Sequence, residues 1–116
     1  MKLDVELYDE PVEVGKFVSG RVRVVEGGPA GEVRVSLTFH EHTRDFDVAA
    51  RGAEVPVHVG DVIAGDGYEF QFPLGPDQPP SVASKHGELY WQIEVRSTEP
   101  HAHTHVRRRV AVVAAA

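Results

Sequence analysis

The amino-acid sequence predicts an all-β protein in which two antiparallel sheets pack face to face. Apolar residues recur at every second position through most of the chain, which is the pattern of strands with one buried side. Segments rich in glycine and proline interrupt this alternation at the spacing of short strands. No window carries a helical stripe of useful length. About seven such strands joined by turns indicate a sandwich, in which each strand turns one side to the core and the other to water.

The first half of the chain supplies four strands. Leu3 and Val5 alternate with charged residues in the first strand, and Leu37 and Phe39 alternate with polar residues in the third. The segment EGGPAG, residues 26–31, holds three glycines and a proline and suits a hairpin between the second and third strands. The predicted bounds are about residues 2–8, 12–26, 31–43 and 53–60.

The second half supplies three strands and the largest core side chains. In the sixth strand Trp91 shares its side with Ile93 and is assigned to the core, while Tyr90 points outward. Arg108 breaks the alternation of the last strand, so we expect its head group at the rim of the sandwich. The GDG segment at residues 65–67 supplies turn residues that tolerate positive φ. The predicted bounds are about residues 67–74, 88–97 and 103–113.

Composition narrows the classes of function. The 116 residues are expected to form a single domain, residues 1–116. The absence of cysteine excludes disulfides, thiolate metal sites and cysteine nucleophiles, and it fits a cytoplasmic protein. A net charge of −6 argues against general nucleic-acid binding, which needs a positive field. No stretch approaches the roughly 20 apolar residues that span a bilayer, so no membrane span is expected.

Two segments of the sequence match the signature patterns of one known protein family. The first, EPVEVGKFVSGRVRV, places Gly15 and Gly20 before Val22 and Val24. The second, YEFQFPLGPDQPPSVASKHGELYWQIEVR, runs from an aromatic–Phe–Pro strand through P-P-S into a tyrosine-bearing strand. Its matching residues are Phe70, Phe72, Pro73, Pro79, Pro80, Ser81 and Tyr90.

The chain is therefore similar to a single sandwich of the arrestin-like family, and within that family to bacterial sporulation-control and retromer arrestin-like proteins. The resemblance implies an immunoglobulin-like sandwich that acts as a scaffold for protein interactions. Members of that family usually carry two sandwiches in tandem, whereas this sequence has the length of one. A homodimer, or a second sandwich supplied by another chain, would bury the equivalent surface.

The segment EPHAHTHVRRRV places three histidines at alternate positions of the last strand. Residues two apart on a strand lie about 6.6–6.8 Å apart on one side, so His101, His103 and His105 point the same way. Three interpretations remain open: a metal site formed by these imidazoles, a pH-responsive surface that also includes His40 and His42, or a solvent-facing ladder without a ligand. The ladder is preferred, because exposed strand faces are usually polar and no residues that would orient metal ligands can be named.

Three consecutive arginines follow the histidines. Arg107 and Arg109 point to one side of the strand and Arg108 to the other. The run could recognise phosphate or an acidic segment, but the alternating directions favour two exposed charges and one arginine at the rim. Charges on a last strand also discourage unwanted edge pairing.

The preferred function is a non-catalytic module that binds a protein partner through a sheet face or a strand edge. No phosphate-binding loop, dinucleotide motif or HExxH motif occurs, so neither an enzyme nor a cofactor is expected. The alternative is a metal- or pH-responsive binding protein that uses the histidine-rich strand. The candidate contact residues are Tyr90, Gln92, Glu94, His103, His105 and Arg107, and the candidate metal ligands are His101, His103 and His105.

Overall fold

The computed structural model describes residues 1–43, 47–50, 52–99 and 105–115. Within these ranges all regular structure is β-strand, which confirms the all-β class. The described residues contain no helix that is long and apolar enough to cross a membrane. The eleven strands in these ranges are β1 (Lys2–Leu7), β2 (Val12–Glu13), β3 (Phe17–Glu26), β4 (Glu32–Thr43), β5 (Asp47–Ala50), β6 (Glu54–Val59), β7 (Gly67–Pro73), β8 (Val82–Ser84), β9 (Gly87–Ser97), β10 (His105–Val110) and β11 (Val112–Val113).

These strands form two antiparallel sheets and one short parallel pair. The three-stranded sheet has the order β1-β3-β7. The six-stranded sheet has the order β10-β9-β4-β5, with β6 also pairing with β4 and β8 with β9. The parallel pair consists of β2 and β11. An immunoglobulin-like sandwich divides its strands in this way, with β1, β3 and β7 in one sheet and β4, β9 and β10 in the other. The predicted fold class is therefore confirmed.

The core lies between the two sheets and is built from the inward sides of their strands. Phe70, Trp91 and Ile93 are buried, and Phe39 packs against them. A fully buried apolar side chain of this size contributes roughly 1.5–3 kcal/mol to folding. The indole Nε1 of Trp91 donates to the carbonyl oxygen of Pro79 at 2.8 Å, so its polar atom is also satisfied. The predicted inward side of the strands is therefore confirmed at the large aromatic residues.

Two glycines of the first signature segment have structural reasons to be glycine. Gly15 has a φ of 90°, a left-handed conformation that residues with a Cβ rarely adopt. A Cβ at Gly20 would lie 2.3 Å from the carbonyl oxygen of Glu6 and 2.9 Å from Cζ of Phe70. The turn at Gly15 also divides the single strand predicted for residues 12–26 into β2 and β3.

Some predicted connections and strands differ from the structure. The segment at residues 26–31 is not a hairpin, because β3 and β4 lie in different sheets and the chain crosses between them. Glycine and proline serve both kinds of connection, so composition alone does not distinguish them. The strand predicted for residues 103–113 has its start outside the described residues and ends as two strands, since β11 leaves β10 to pair with β2. The short strands β5 and β8 were missed because they lack a clear alternation.

Candidate functional site

The outer side of the six-stranded sheet carries a continuous polar surface, which we call the polar face. Strand alternation turns every second side chain of β4, β9 and β10 away from the core. The antiparallel register sets Tyr90 beside His40 and Glu94 beside Arg107. The polar face comprises Arg34, Ser36, Thr38, His40, His42, Glu54, Glu88, Tyr90, Gln92, Glu94, Arg96, His105, Arg107 and Arg109.

Glu94 is the hub of the polar face. Its Oε1 accepts a hydrogen bond from Nε2 of Gln92 at 2.9 Å, and its Oε2 lies 3.2 Å from Nε2 of His105. His40 Nε2 and Arg107 Nε each lie 4.0 Å from Oε1. Only 23% of the Glu94 side chain is exposed. These neighbours therefore supply contacts that water would otherwise make to the carboxylate.

Tyr90 is held between side chains of the two neighbouring strands. The His40 ring from β4 stacks parallel to it, with ring centroids 4.8 Å apart. The guanidinium carbon of Arg109 from β10 lies 3.9 Å from the centre of the Tyr90 ring. A cation–π contact of this kind contributes about 0.5–1 kcal/mol at an exposed site. The Tyr90 ring is therefore fixed in position without a bound partner.

Arg109 is fixed in turn by Glu88. Its two terminal nitrogens donate to the two carboxylate oxygens of Glu88, at 2.9 Å each. These hydrogen bonds, together with the positive charges of Arg109 and His42, lower the pKa of the Glu88 carboxyl. The same hydrogen bonds raise the pKa of the Arg109 guanidinium. Forked pairing of this kind fixes the orientation of the guanidinium plane as well as its position.

Two residues of the polar face are buried rather than solvated. His40 is 9% exposed and Gln92 is 7% exposed. Thr38 Oγ1 lies 2.8 Å from Nε2 of His40, and this hydrogen bond satisfies that ring nitrogen. Both side chains point to the outer side of the sheet, as predicted, but the His40 imidazole is buried. Side chains of the neighbouring strands cover it, which alternation within one strand does not reveal.

A second ion-pair group lies farther along the same sheet. Glu54 Oε2 accepts from Nη2 of Arg96 at 3.1 Å, and its Oε1 lies 2.6 Å from Nε of Arg34. Arg34 also donates from Nη1 to Glu32 Oε1 at 2.7 Å. Exposed pairs of this kind are worth about 0–1 kcal/mol each. Their main effect is to hold β4, β6 and β9 side chains in a defined arrangement.

Two shallow depressions lie on the polar face. One, of about 310 Å³, is lined by His40, Ala49, Tyr90, Gln92, Glu94 and Arg107. The other, of about 350 Å³, is lined by Ser36, Thr38, Gly52, Glu54, Glu94 and Arg96. Glu94 borders both of them. Polar hollows that open to solvent suit the side chains of a protein partner better than an enclosed small molecule.

The structure brings most of the predicted contact residues together. Tyr90, Glu94, His105 and Arg107 lie on the polar face around the first depression. Gln92 points to the same side but is buried, and its amide group holds Glu94. His103 lies outside the described residues. A contact between any of these residues and a partner stays a prediction.

The metal prediction also stays a prediction. His101 and His103 lie outside the described residues. In the part of the chain that the structure describes, no group of three or more His, Cys, Asp or Glu side chains is placed to hold a metal ion. His105, the third predicted ligand, lies against Glu94.

The three arginines of β10 have different surroundings, and sequence reasoning anticipated only part of this. Arg108 lies at the rim as predicted, where its Nη2 donates to Glu10 Oε1 at 2.8 Å and its Nη1 to the carbonyl oxygen of Arg109. The pairing of Arg109 with Glu88 was not predicted. That pair depends on the register between β9 and β10. The sequence indicates only that Glu88 and Arg109 point to the outer sides of their strands.

The fold and its polar face define an immunoglobulin-like β-sandwich with one highly organised outer surface. No family model and no curated protein sequence matches the chain. Among solved structures, the chain is similar to Spo0M, a sporulation control protein from Bacillus subtilis, with a TM-score of 0.69 and 17% identity. The match covers 98% of this chain and 49% of that one, so the chain spans about half the length of Spo0M.

A superoxide reductase (neelaredoxin) from Ignicoccus hospitalis is also similar, with a TM-score of 0.50 and 18% identity. That match covers 97% of this chain and 81% of the reductase. At these identities the likenesses establish the fold alone. The predicted similarity to sporulation-control proteins is confirmed at that level.

Proposed function

We propose that the chain is an arrestin-like sandwich that binds a protein partner through the polar face and does not catalyse a reaction. The observation that carries this proposal is the fixed Tyr90 ring beside Glu94 and Arg107 at the edge of an open depression. Tyrosine and arginine are enriched at protein interfaces and dominate their energetics. Side chains that are already held in place lose little conformational entropy on binding.

The likeness to Spo0M supports a regulatory role for such binding, because that protein is described as a sporulation control protein. The proposal also includes the pairing of this sandwich with a second copy of itself. We place the protein in the cytoplasm, in keeping with its lack of cysteine. Light scattering over a range of concentrations tests the homodimer: a monomer at every concentration would reject it.

The sheet face is preferred over the edge of β10 as the binding surface. Glu10, in the connection between β1 and β2, accepts hydrogen bonds from Arg108 and from the backbone N–H of Ala111, both at 2.8 Å. This carboxylate ties the connection to the end of β10 and so occupies part of that edge. A partner strand that adds to an edge needs its backbone groups accessible.

Site-specific crosslinking tests the proposed surface. A photoreactive amino acid replaces Arg96 on the polar face or, as the matched control, Arg23 on the outer side of β3, and both residues are exposed. Proteins captured in the source cells are identified by mass spectrometry and then purified. We expect a partner that crosslinks from position 96 and not from position 23.

Calorimetry with the purified partner completes the test. We expect Tyr90→Ala to weaken binding at least about tenfold, as for a central aromatic anchor. Tyr8→Ala, which removes a tyrosine from the opposite face, should leave affinity unchanged. Crosslinks confined to position 23, or equal affinities for wild type and Tyr90→Ala, would contradict the proposal.

A second candidate function is a proton-responsive binding surface. Two imidazoles lie near the Glu94 carboxylate: Nε2 of His40 is 4.0 Å from Oε1, and Nε2 of His105 is 3.2 Å from Oε2. Arg107 Nε also lies 4.0 Å from Oε1 of Glu94. Histidine is the side chain whose charge changes most readily near neutral pH. If this function is correct, affinity for the purified partner changes between mildly basic and mildly acidic buffer in wild type but not in His105→Ala. The same affinity in both buffers for wild type would reject it.

The metal-responsive form of that alternative depends on His101 and His103, together with His105. Calorimetric titration of the full chain with zinc tests it directly. Binding that is lost in the double variant His103→Ala, His105→Ala would support a metal site. The absence of any heat of binding in wild type would remove it.

A further inference from the structure

In three arginine ion pairs of the polar face, the arginine is more exposed than its carboxylate partner. Arg107 is 62% exposed against 23% for Glu94, and Arg109 is 56% exposed against 29% for Glu88. Arg96 is 57% exposed against 32% for Glu54. The carboxylates therefore lie beneath the guanidinium groups. A partner that approaches this face meets arginine first, although the chain as a whole carries a net charge of −6.

The opposite outer face does not share this layering. Arg21 and Glu6 form an ion pair on the three-stranded sheet, and each side chain is 43% exposed. The outermost position of the cation is thus found in these three pairs of the polar face, and not in the Arg21–Glu6 pair or in the Arg34–Glu54 pair, whose side chains are 34% and 32% exposed.

Arg107 differs from its two neighbours in how it is held. Arg108 donates to Glu10, and Arg109 donates twice to Glu88. The Arg107 guanidinium makes no hydrogen bond to the described residues, and the nearest of their carboxylate oxygens, on Glu94, is 4.0 Å from Nε. Glu94 is engaged instead by Gln92 and His105. The planar donors of Arg107 therefore remain available beside the depression.

We propose that Arg107 selects an acidic segment of a protein partner, whose carboxylate lies in the depression between Arg107 and the stacked rings of Tyr90 and His40. This inference rests on the proposed function, since it names the chemistry of the partner bound at the same face. An arginine accepts a carboxylate through two parallel N–H···O bonds, which gives direction as well as attraction. The stacked rings line the same hollow as Arg107.

Synthetic peptides of defined charge test the inference on the intact chain. A labelled peptide of alternating Glu and Thr is compared with the same peptide carrying Gln or Lys in place of Glu, by fluorescence anisotropy at low ionic strength. We expect the Glu peptide to bind about tenfold more tightly than the Gln peptide, as for a charge-assisted hydrogen bond. NMR shifts caused by the Glu peptide should map to Tyr90, Glu94, His105 and Arg107.

Substitutions then assign the selectivity to one residue. We expect Arg107→Gln to weaken the Glu peptide about tenfold and to leave the Gln peptide unchanged. Arg107→Lys should retain part of the preference, because it keeps the charge but loses the planar fork. Arg21→Gln is the matched control on the opposite face and should have no effect. Circular dichroism confirms that each variant is folded, and the comparison of peptides on wild type does not depend on any variant.

Several outcomes would overturn the inference. Equal affinity for the Glu and Gln peptides would do so, as would shifts that map to the three-stranded sheet. A tighter complex with the Lys peptide would assign selectivity to Glu88 and Glu94 instead. A further contrary result would be an oligonucleotide that binds more tightly than the Glu peptide and loses the same affinity in Arg107→Gln. The ligand of Arg107 would then be a nucleic acid and not an acidic protein segment. None of these results decides whether a protein partner binds the polar face, which the crosslinking experiment settles separately.

Discussion

The outer faces of the two sheets carry similar residue types but meet solvent differently. On the three-stranded sheet, Arg21 donates two hydrogen bonds of 3.1 Å to one oxygen of Glu6, and each side chain is 43% exposed. On the polar face, the side chains of His40 and Glu94 are only 11% and 23% exposed. Strand alternation predicts the same environment for both faces. The number of neighbouring strands explains why the environments differ.

Only β3 has partners on both sides in the three-stranded sheet, whereas both β4 and β9 do in the six-stranded sheet. Side chains directly opposite one another on neighbouring strands lie close enough to cover each other. His40 and Gln92 are covered in this way from both sides. Covered polar groups cost free energy unless they are hydrogen-bonded, and the contacts around Glu94 meet that requirement. A polar surface becomes organised when its strands are flanked, even if no partner is bound.

The largest expected difference between the faces is in the stability lost when the carboxylate of Glu94 or of Glu6 is removed. Glu94→Ala leaves the amide of Gln92 and the imidazole of His105 without their acceptor, so we expect a loss of about 1–3 kcal/mol in the free energy of unfolding. Glu6→Ala removes an exposed ion pair and should cost about 0–1 kcal/mol. Urea unfolding of both variants measures the two losses. Equal losses would mean that the burial of the polar face carries no energetic weight.

A smaller difference is expected between the arginines of the two faces. Arg109→Ala removes two hydrogen bonds to Glu88 and the contact with the Tyr90 ring, so we expect a loss of about 1 kcal/mol. Arg21→Ala removes only its pair with Glu6 and should cost about 0.5 kcal/mol or less. Arg109→Lys tests charge without the planar guanidinium, because lysine keeps the positive charge but cannot form the two parallel hydrogen bonds to Glu88. If lysine restored full stability, the planar geometry of Arg109 would be irrelevant.

The sequence pattern predicts well which side of a strand each residue faces. It predicts poorly how far neighbouring strands cover that residue. The inward positions of Phe70, Trp91 and Ile93 follow from alternation, because apolar side chains must share the core. The outward direction of His40 and Gln92 follows from the same rule. Their burial does not, since it depends on which strands lie alongside and in what register.

Connections show the same limit. The segment at residues 26–31 has the composition of a hairpin turn, yet it carries the chain from one sheet to the other. The pairing of Glu88 with Arg109 joins residues 21 positions apart, and only the register of β9 and β10 brings them together. Long-range pairing of this kind leaves no local signal, so the organised part of the polar face was the part least accessible from the sequence.

The smallest expected effect is a dependence on pH that belongs to the polar face. The hydrogen bonds from Arg109, and then its charge and that of His42, lower the pKa of the Glu88 carboxyl from its ordinary value of 4.5. A carboxyl with a lowered pKa in the folded state contributes stability that is fully present above its ordinary value and is lost as pH falls through the lowered value. The stability difference between wild type and Arg109→Gln should therefore be constant near neutral pH and shrink in acid.

NMR titration of the Glu88 carboxyl gives the more direct measurement of this effect. We expect its midpoint to rise in Arg109→Gln, because the main cause of the lowered pKa is removed. Arg21→Gln is again the matched control, and the Glu88 midpoint should not move in it, since Arg21 lies on the other sheet. A midpoint that stays the same in Arg109→Gln would mean that the fork between Arg109 and Glu88 does not persist in solution. The stack of Arg109 on Tyr90 would then lose its anchor, and with it the argument that the polar face is organised before a partner binds.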